Sequence, residues 1–302
     1  MAILQLFQAA RSTGLDIISA FFSLMGQEIL FLCALGVIYW CISKKTAYKL
    51  FFAYITASCI CNIACAAIHM PMPWMSDASL NTIGLVQTFA SGYAFPSNGI
   101  LNITLLASML FLNRRKFLIR IGCIASVILT VFAYLYLCIT TPWGAVCALL
   151  IGAAASAVFS TFIDSMLFDR SRFRIYAGIQ LIPVFVLICV TLSFYFYDLL
   201  EPAPMMEIIN RTGIYIGLLI SWYIETSRIN FTVRTNRLWK QVVKASCGIF
   251  TILAVYLMLT VLFKIIPGFL FGDMVRGLVT VICGFGVFPL LIRIFFAARY
   301  SH

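Results

Sequence analysis

The chain has 302 residues, of which 63% are hydrophobic and only 10% are charged, and its formal net charge is +11. Because an ordinary soluble domain carries roughly 25% charged residues, a soluble fold of this length could not bury so much apolar surface. The composition therefore excludes a soluble globular domain and predicts helices of about 20 residues that cross a bilayer.

The N-terminal segment is expected to belong to the mature protein and to lie at the membrane interface. It lacks the basic region and the small-residue cleavage site of a secretory signal peptide. Two apolar pieces, around residues 4–7 and 17–22, are too short and too interrupted to span the membrane. We therefore expect short amphipathic segments before the first span.

Long hydrophobic runs occupy most of the remaining chain. Such runs predict helices, because a helix satisfies its own backbone hydrogen bonds in lipid, whereas the strands of a barrel would show alternating hydrophobicity. The predicted fold class is therefore all-α, a polytopic transmembrane helical bundle of about nine spans. The runs lie at about 27–43, 47–70, 96–112, 117–138, 142–163, 175–197, 212–227, 242–263 and 274–298.

The basic residues predict the orientation of this bundle. Of the 21 lysines and arginines, 17 fall on alternate connections between the runs. The positive-inside rule places these connections in the cytoplasm, so we expect a cell (cytoplasmic) membrane protein with its N-terminus outside and its C-terminus inside. The segments 71–95 and 198–211 should then face outside. This distribution accounts for the net charge through contacts with anionic lipid, and it requires no nucleic acid partner.

The cysteines and small motifs predict packing rather than chemistry. Cys59, Cys61 and Cys65 resemble a ligand cluster, but a helix directs residues two apart to different faces. Structural zinc sites need four ligands, and His69 is the one other ligand type nearby. We therefore expect no metal and no cofactor, and the GIYIG sequence at 213–217 predicts only a close helix contact.

The segment between the second and third runs is the least regular part of the sequence. It reads MPMPWMSDASLNTIGLVQTFASGYAFPSNGILNIT and is longer than most connections. Connections of this length tend to be functional or disordered. Its last part, SGYAFPSNGILNIT, resembles the central GYxFPSGH motif of the type 2 phosphatidic acid phosphatase superfamily, which also contains haloperoxidases.

Other segments resemble the same superfamily in the same order. MPMPWM lies where the family has its RP motif, and FAYLYLCITTPWGAVCALLIG lies where it has SRxxxGxHxxxD. GQEILFLCALGVIYWCISKKTAYKL resembles the opening span of long bacterial members, and GLLISWYIETSRINF resembles their extra C-terminal segment. The resemblance covers about residues 20–265. It implies one membrane domain with a six-helix lipid-phosphatase-like core, whose first part is 1–165 and whose remaining helices of the same bundle are 166–302.

The resemblance also implies an outward-facing phosphate pocket. In the family, one histidine attacks the phosphorus of a lipid phosphate or pyrophosphate, and a second protonates the leaving alcohol. An aspartate orients the nucleophile, and a lysine and two arginines bind the phosphoryl oxygens. The chemistry is covalent catalysis with an oriented base, assisted by cations placed where negative charge develops.

The three phosphate-binding cations of the family are replaced in this sequence. The family's lysine falls on Cys65, and its first arginine falls on Met72, after which Pro73 is retained. The arginine of the third motif falls on Tyr134. A pocket built from these residues has no cation to hold a phosphate.

The three groups that carry out the reaction are replaced as well. The acid histidine falls on Gly99, the nucleophilic histidine on Thr140 and the aspartate on Gly144. We therefore predict no catalytic residue and a degenerate pocket. Its positions are Cys65, Met72, Pro73, Pro96, Ser97, Asn98, Gly99, Tyr134, Thr140 and Gly144.

The whole chain has two histidines, so no realignment restores the pair that the reaction needs. His302 is the last residue, and His69 is expected to cap a helix end or to contact an interfacial polar group. His69 and Asn102 are possible ligand contacts, although Asn102 is equally suited to a hydrogen bond between helices. Glu225 ends a hydrophobic run, where it could have a functional role or pair with Arg228.

Three functions stay open on the sequence. The first is a pseudoenzyme that binds a lipid or a membrane partner through an outward-facing groove, the lipid being a lipid phosphate or a polyprenyl carrier. The second is an active phosphatase on lipid phosphates or pyrophosphates with a non-standard site, so enzymatic activity is undecided. The third is a transporter or flippase of a lipid carrier, with Asn62, Asn98, Asn102 and Thr104 as a polar path. No protein partner is indicated.

Overall fold

The computed structural model describes the backbone of residues 2–77, 79–89, 92–166, 170–197, 202–233, 238–265 and 271–296. Within these residues every regular element is a helix, which confirms the predicted all-α class. The α-helices are α1 (Ala2–Ala9), α2 (Thr13–Met25), α3 (Glu28–Val37), α4 (Lys44–Ile68), α5 (Pro73–Ser76), α6 (Gly84–Phe89), α7 (Asn98–Asn113), α8 (Phe117–Tyr136), α9 (Pro142–Met166), α10 (Arg170–Ile179), α11 (Leu181–Phe196), α12 (Pro202–Ile224), α13 (Leu238–Ile265), α14 (Gly272–Val281) and α15 (Phe288–Leu291). Four π-helical segments are Ile38–Ile42, Glu225–Ile229, Ile282–Val287 and Ile292–Phe296.

The number of spans is lower than expected from the sequence. Among the described residues, six helices are long and apolar enough to cross a membrane, and a seventh span results if the bent pair Thr13–Met25 and Glu28–Ile42 counts as one. The run at 96–112 forms α7, which has 16 residues and is shorter than the roughly 20 that a span needs. The run at 212–227 is part of α12, whose first half carries Glu207, Asn210 and Arg211. The chain is nevertheless a multi-pass membrane protein.

One region that was expected to be a connection between spans is largely helical. The segment 198–211 was predicted as a loop, but α12 begins at Pro202. Proline is favourable in the first turn of a helix, and hydropathy detects where a helix is apolar rather than where it starts. The short N-terminal piece near 17–22 lies in α2, a helix of 13 residues that is bent by 60° against the helix after it.

Several residues used in the sequence analysis lie outside the described residues. They include Ala78, Ala90 and Ser91 of the predicted outer segment, and also Arg234, Arg237, Arg299 and His302.

The chain divides into two compact units. Unit 1 contains Met1–Phe31 and Phe52–Glu207, and unit 2 contains Leu32–Phe51 and Ile208–His302. In unit 1, α7 packs against α8 and α9, and α2 packs against α8. Gly152 of α9 faces Thr104 and Leu101, so the absence of a side chain lets α7 and α9 approach closely.

Unit 2 is held by glycine contacts between helices and by a cluster of aromatic rings. A Cβ on Gly213 would overlap the backbone carbonyl of Met274, and a Cβ on Gly277 would overlap the backbone carbonyl of Asn210. The close helix contact predicted from GIYIG is therefore confirmed between α12 and α14. The buried Trp40 ring lies 5.0 Å from Phe288, measured between ring centroids, and it fills the space beside Gly248.

Glu225 of unit 2 is 1% exposed and has a different partner from the one expected. Its carboxylate accepts hydrogen bonds from the Lys44 ammonium and the Tyr48 hydroxyl. Arg228 is exposed and forms no ion pair with Glu225. Glu225 is the first residue of a π-helical segment and contacts the start of α4, whereas the Arg228 side chain of the same segment is exposed on the protein surface.

Candidate functional site

Three chain segments with degenerate motifs adjoin at one end of unit 1. The Ala94 amide donates to the Met70 carbonyl at 2.8 Å, and the Ser97 amide donates to the Gly144 carbonyl at 3.3 Å. The Thr140 hydroxyl donates to the Ala94 carbonyl at 2.6 Å. The end of α4, the segment before α7 and the segment before α9 therefore meet, and the first turn of α7 begins there with Ser97 as its N-cap residue.

The start of α7 is joined to α4 by polar side chains. Cys65 Sγ donates to the Pro96 carbonyl at 3.3 Å, and Asn98 Nδ2 donates to Asn62 Oδ1 at 3.2 Å. Asn62 Nδ2 in turn donates to the Ser58 carbonyl at 2.7 Å. Asn98 Oδ1 is buried and has no hydrogen-bond partner among the described residues.

Tyr134 occupies the space beside Gly99. A Cβ on Gly99 would overlap the Tyr134 hydroxyl and ring, and a Cβ on Gly26 would overlap the same hydroxyl. The Tyr134 side chain is only 4% exposed, so it is enclosed on both sides. The resemblance assigns the acid histidine to Gly99 and an arginine to Tyr134. As long as the tyrosine is present, residue 99 has no space for a side chain.

Thr140 and Gly144 are tightly packed against the segment before α7. Thr140 is 1% exposed, and its hydroxyl hydrogen is engaged by the Ala94 carbonyl. A Cβ on Gly144 would overlap that carbonyl and the Thr140 Oγ1 atom. No base contacts Thr140 within the described part of the chain, so nothing here activates its hydroxyl as a nucleophile.

Three predicted residues have structural contacts of other kinds. Met72 and Pro73 are buried at the start of α5, and no hydrogen bond of the described residues joins them to 96–99 or 140–144. Asn102 Nδ2 donates to the Gly26 carbonyl at 3.0 Å, which ties α7 to the turn between α2 and α3. This contact between helices is one of the two roles weighed for Asn102.

His69 is the residue that follows α4. Its backbone is left-handed, with φ of 52°, and its ring centroid lies 5.5 Å from that of Tyr93 and 5.3 Å from that of Phe194. Nε2 is buried and has no hydrogen-bond partner among the described residues. A role in capping the helix end was expected for His69, and this stays a prediction. The aromatic contact with Phe194 of α11 was not foreseen, because nothing in the local sequence links these two segments.

The N-terminal residues also reach this end of unit 1. Arg11 forms an ion pair with Asp16 at 3.1 Å and donates to the Asn81 carbonyl at 2.8 Å, so its charge is already compensated. Gln8 donates to Cys138 Sγ at 3.3 Å. Burial raises the pKa of the Cys138 thiol, so this cysteine stays protonated near neutral pH and is a poor nucleophile.

Comparison with known proteins gives one match. The model of the PAP2 superfamily phosphatase transmembrane extension matches residues 209–299, which is nearly the whole C-terminal part of unit 2 and includes the GLLISWYIETSRINF segment. The match does not include residues 65–144, which carry the degenerate motifs. Neither a curated protein nor a solved structure matches the chain. The C-terminal part of the chain is therefore similar to the PAP2 superfamily of membrane phosphatases, and this match supports the membership predicted from the sequence.

Proposed function

We propose that this chain is a catalytically degenerate member of its superfamily. It binds a membrane lipid through an outward-facing groove where the end of α4 meets the segments before α7 and α9. The observation that carries the proposal is the occupation of the acid-histidine position. Gly99 faces the enclosed Tyr134 side chain, so the missing catalytic group has been replaced by packing. The lipid is a lipid phosphate or a polyprenyl carrier, bound mainly through its apolar part.

The nucleophile position supports the same reading. The Thr140 hydroxyl donates to a backbone carbonyl, and Gly144 has no space for a side chain. These two positions therefore support packing of the chain rather than the roles of a nucleophile and its orienting acid. Restoring one family residue here would require its neighbours to move.

The charges argue against phosphate chemistry in this groove. The positions matched to the family's cations hold Cys65, Met72 and Tyr134, each less than 5% exposed and uncharged at neutral pH. A phosphate dianion that entered would lose its hydration with no cation in exchange. An apolar ligand meets no such barrier, and the His69, Tyr93 and Phe194 rings offer it an aromatic surface.

A second candidate, hydrolysis by a non-standard site, is favoured by one observation. His69 Nε2 has no partner among the described residues, so it is available as a base. The transport alternative has less support, because three of its four polar residues, Asn62, Asn102 and Thr104, donate to backbone carbonyls. Asn98 Oδ1 is the one buried atom of this path without a partner among the described residues.

The decisive experiment is a phosphate-release assay of the purified protein on phosphatidic acid and on a polyprenyl pyrophosphate. We expect no turnover above a buffer control. Loss of a general acid or base commonly costs 10²- to 10⁴-fold, and loss of an oxyanion donor about 10²- to 10³-fold, although such losses are not additive in one catalytic unit. Turnover that disappears in His69→Ala would support the second candidate and overturn the first.

Binding is tested separately with a photoactivatable lipid in reconstituted membranes. We expect crosslinks to residues around 69 and 93, and competition by excess unlabelled lipid. Helix α8, whose Ile124 and Ile128 are more than half exposed, serves as the control for nonspecific labelling by bulk lipid. Labelling of α8 alone, or labelling that unlabelled lipid does not reduce, would contradict a lipid site in unit 1.

A further inference from the structure

The sequence around a left-handed turn of unit 2 is rich in basic residues. Asn230, with φ of 45°, ends the π-helical segment Glu225–Ile229. The sequence from 226 to 244 contains five arginines and lysines and no acidic residue. Such an excess of positive charge at the end of a membrane helix favours an anionic partner.

Arg293 is fixed onto this turn by its own hydrogen bonds. Its Nη1 atom donates to the Arg228 carbonyl at 3.1 Å and to the Ile229 carbonyl at 3.0 Å. The guanidinium has five N–H donors, so Nε and Nη2 stay available in a side chain that is exposed. Arg228 is exposed as well and starts from the same turn.

The Glu225 carboxylate, at the start of the π-helical segment, is not available to Arg228 and Arg293. Glu225 is buried and is engaged by Lys44 and Tyr48, and Lys44 also lies 4.0 Å from the centroid of the Phe231 ring. No carboxylate pairs with Arg228 or Arg293 among the described residues. The guanidinium groups of Arg228 and Arg293 therefore have no counter-ion among the described residues.

The start of α13, next to this turn, has side chains that are typical of the lipid headgroup level. Lys244 Nζ donates to the Val233 carbonyl at 3.0 Å, which ties α13 to the residues that follow the turn. Trp239 is 56% exposed, and the Lys240 ammonium lies 5.9 Å from its ring centroid. Exposed tryptophans next to basic residues are typical of the boundary between the hydrocarbon and the headgroups.

We propose that the turn around Asn230 is a binding site for the phosphate group of an anionic membrane lipid, with Arg228 and Arg293 as its ligands. Guanidinium groups match phosphate oxygens in a bidentate geometry, and Arg293, which is already held by its own hydrogen bonds, loses less side-chain freedom on binding. The site is separate from the groove of unit 1 and does not depend on the function proposed for it.

The test uses the full-length protein in detergent, titrated with phosphatidylglycerol and with phosphatidylcholine of the same chains, and bound lipid is counted by native mass spectrometry. We expect selective binding of phosphatidylglycerol. In Arg228→Gln/Arg293→Gln the affinity should fall about 30-fold, as expected for two cationic contacts near an anionic surface. Arg228→Gln alone should lose about 5-fold, and it leaves the Arg293 hydrogen bonds intact.

The matched control is Arg115→Gln/Lys116→Gln, which removes two exposed charges from unit 1. We expect phosphatidylglycerol affinity within 2-fold of the unmodified protein. An equal loss in this control, or no loss in either Arg228 variant, would overturn the proposal. A third arm adds inorganic phosphate, and displacement of the lipid by an equal concentration of phosphate would contradict a lipid as the occupant.

Discussion

Replacing Gly99 by alanine tests whether Tyr134 fills the space beside the position that the family resemblance assigns to the acid histidine. The new Cβ would overlap the Tyr134 hydroxyl and ring, and Gly26 on the opposite side prevents that hydroxyl from moving away. Overpacking of this kind costs about 1–3 kcal/mol, offset by up to about 1 kcal/mol because alanine is the better helix former. We expect Gly99→Ala to lower the free energy of unfolding by about 1–2 kcal/mol.

The same substitution should have the opposite effect once Tyr134 is shortened. In a Tyr134→Leu background the hydroxyl and the ring edge are absent, so the helix preference of alanine should dominate. A double-mutant cycle should then give a coupling of about 2 kcal/mol between the two positions, within the usual range for residues in contact. The measurement is unfolding of the purified protein in mixed micelles, followed by circular dichroism.

Gly122→Ala on α8 is the matched control. No atom lies within 4 Å of a Cβ built on Gly122, so this change should leave stability unaltered or slightly raised. If Gly99→Ala costs the same with Tyr134 and with leucine, Tyr134 does not fill the histidine position and the packing argument for a degenerate site fails. If the coupling is found, an attempt to restore the family residues must replace Tyr134 together with Gly99.

Three further outcomes are expected. Lys44→Met should destabilise the protein more than Glu225→Gln, by up to about 3–5 kcal/mol, because it leaves a carboxylate that is 1% exposed without its cation; equal losses in thermal unfolding would refute this. Gly213→Ala should destabilise the protein by about 1–3 kcal/mol through overlap with a backbone carbonyl, whereas Gly178→Ala, with open space around it, should be neutral in the same assay. A reporter fused after Arg299 should be active only in the cytoplasm, and activity outside would contradict the orientation predicted from the basic residues.

The sequence was sufficient for the class of the protein, because the relevant energies are local. Whether a stretch of 20 residues prefers lipid depends on its own side chains, and whether its backbone can be satisfied there depends on helix formation alone. The GIYIG contact and the GLLISWYIETSRINF extension were predictable for the same reason, since short motifs carry them. The number of spans was less accessible, because hydropathy does not show that α12 starts at Pro202 or that α7 stops after 16 residues.

The sequence predicted which residues belong to the candidate site, but it did not indicate what each side chain touches. Residue identity shows that a glycine and a tyrosine stand where a histidine and an arginine are expected. That Tyr134 lies against Gly99, or that Thr140 donates to the Ala94 carbonyl, depends on helices packed from distant parts of the chain. These contacts are non-local, and no periodicity or motif encodes them.

The same division applies to the ionisable residues. The sequence determined by itself that the chain is a helical membrane protein with basic connections and few acids. Only the tertiary structure decided that Glu225 pairs with Lys44, 181 positions away, and that Arg228 and Arg293 share one turn without a carboxylate among the described residues. An ion pair in a membrane protein depends on which charges folding brings within a few ångströms and removes from water, and that proximity is a property of the packed bundle.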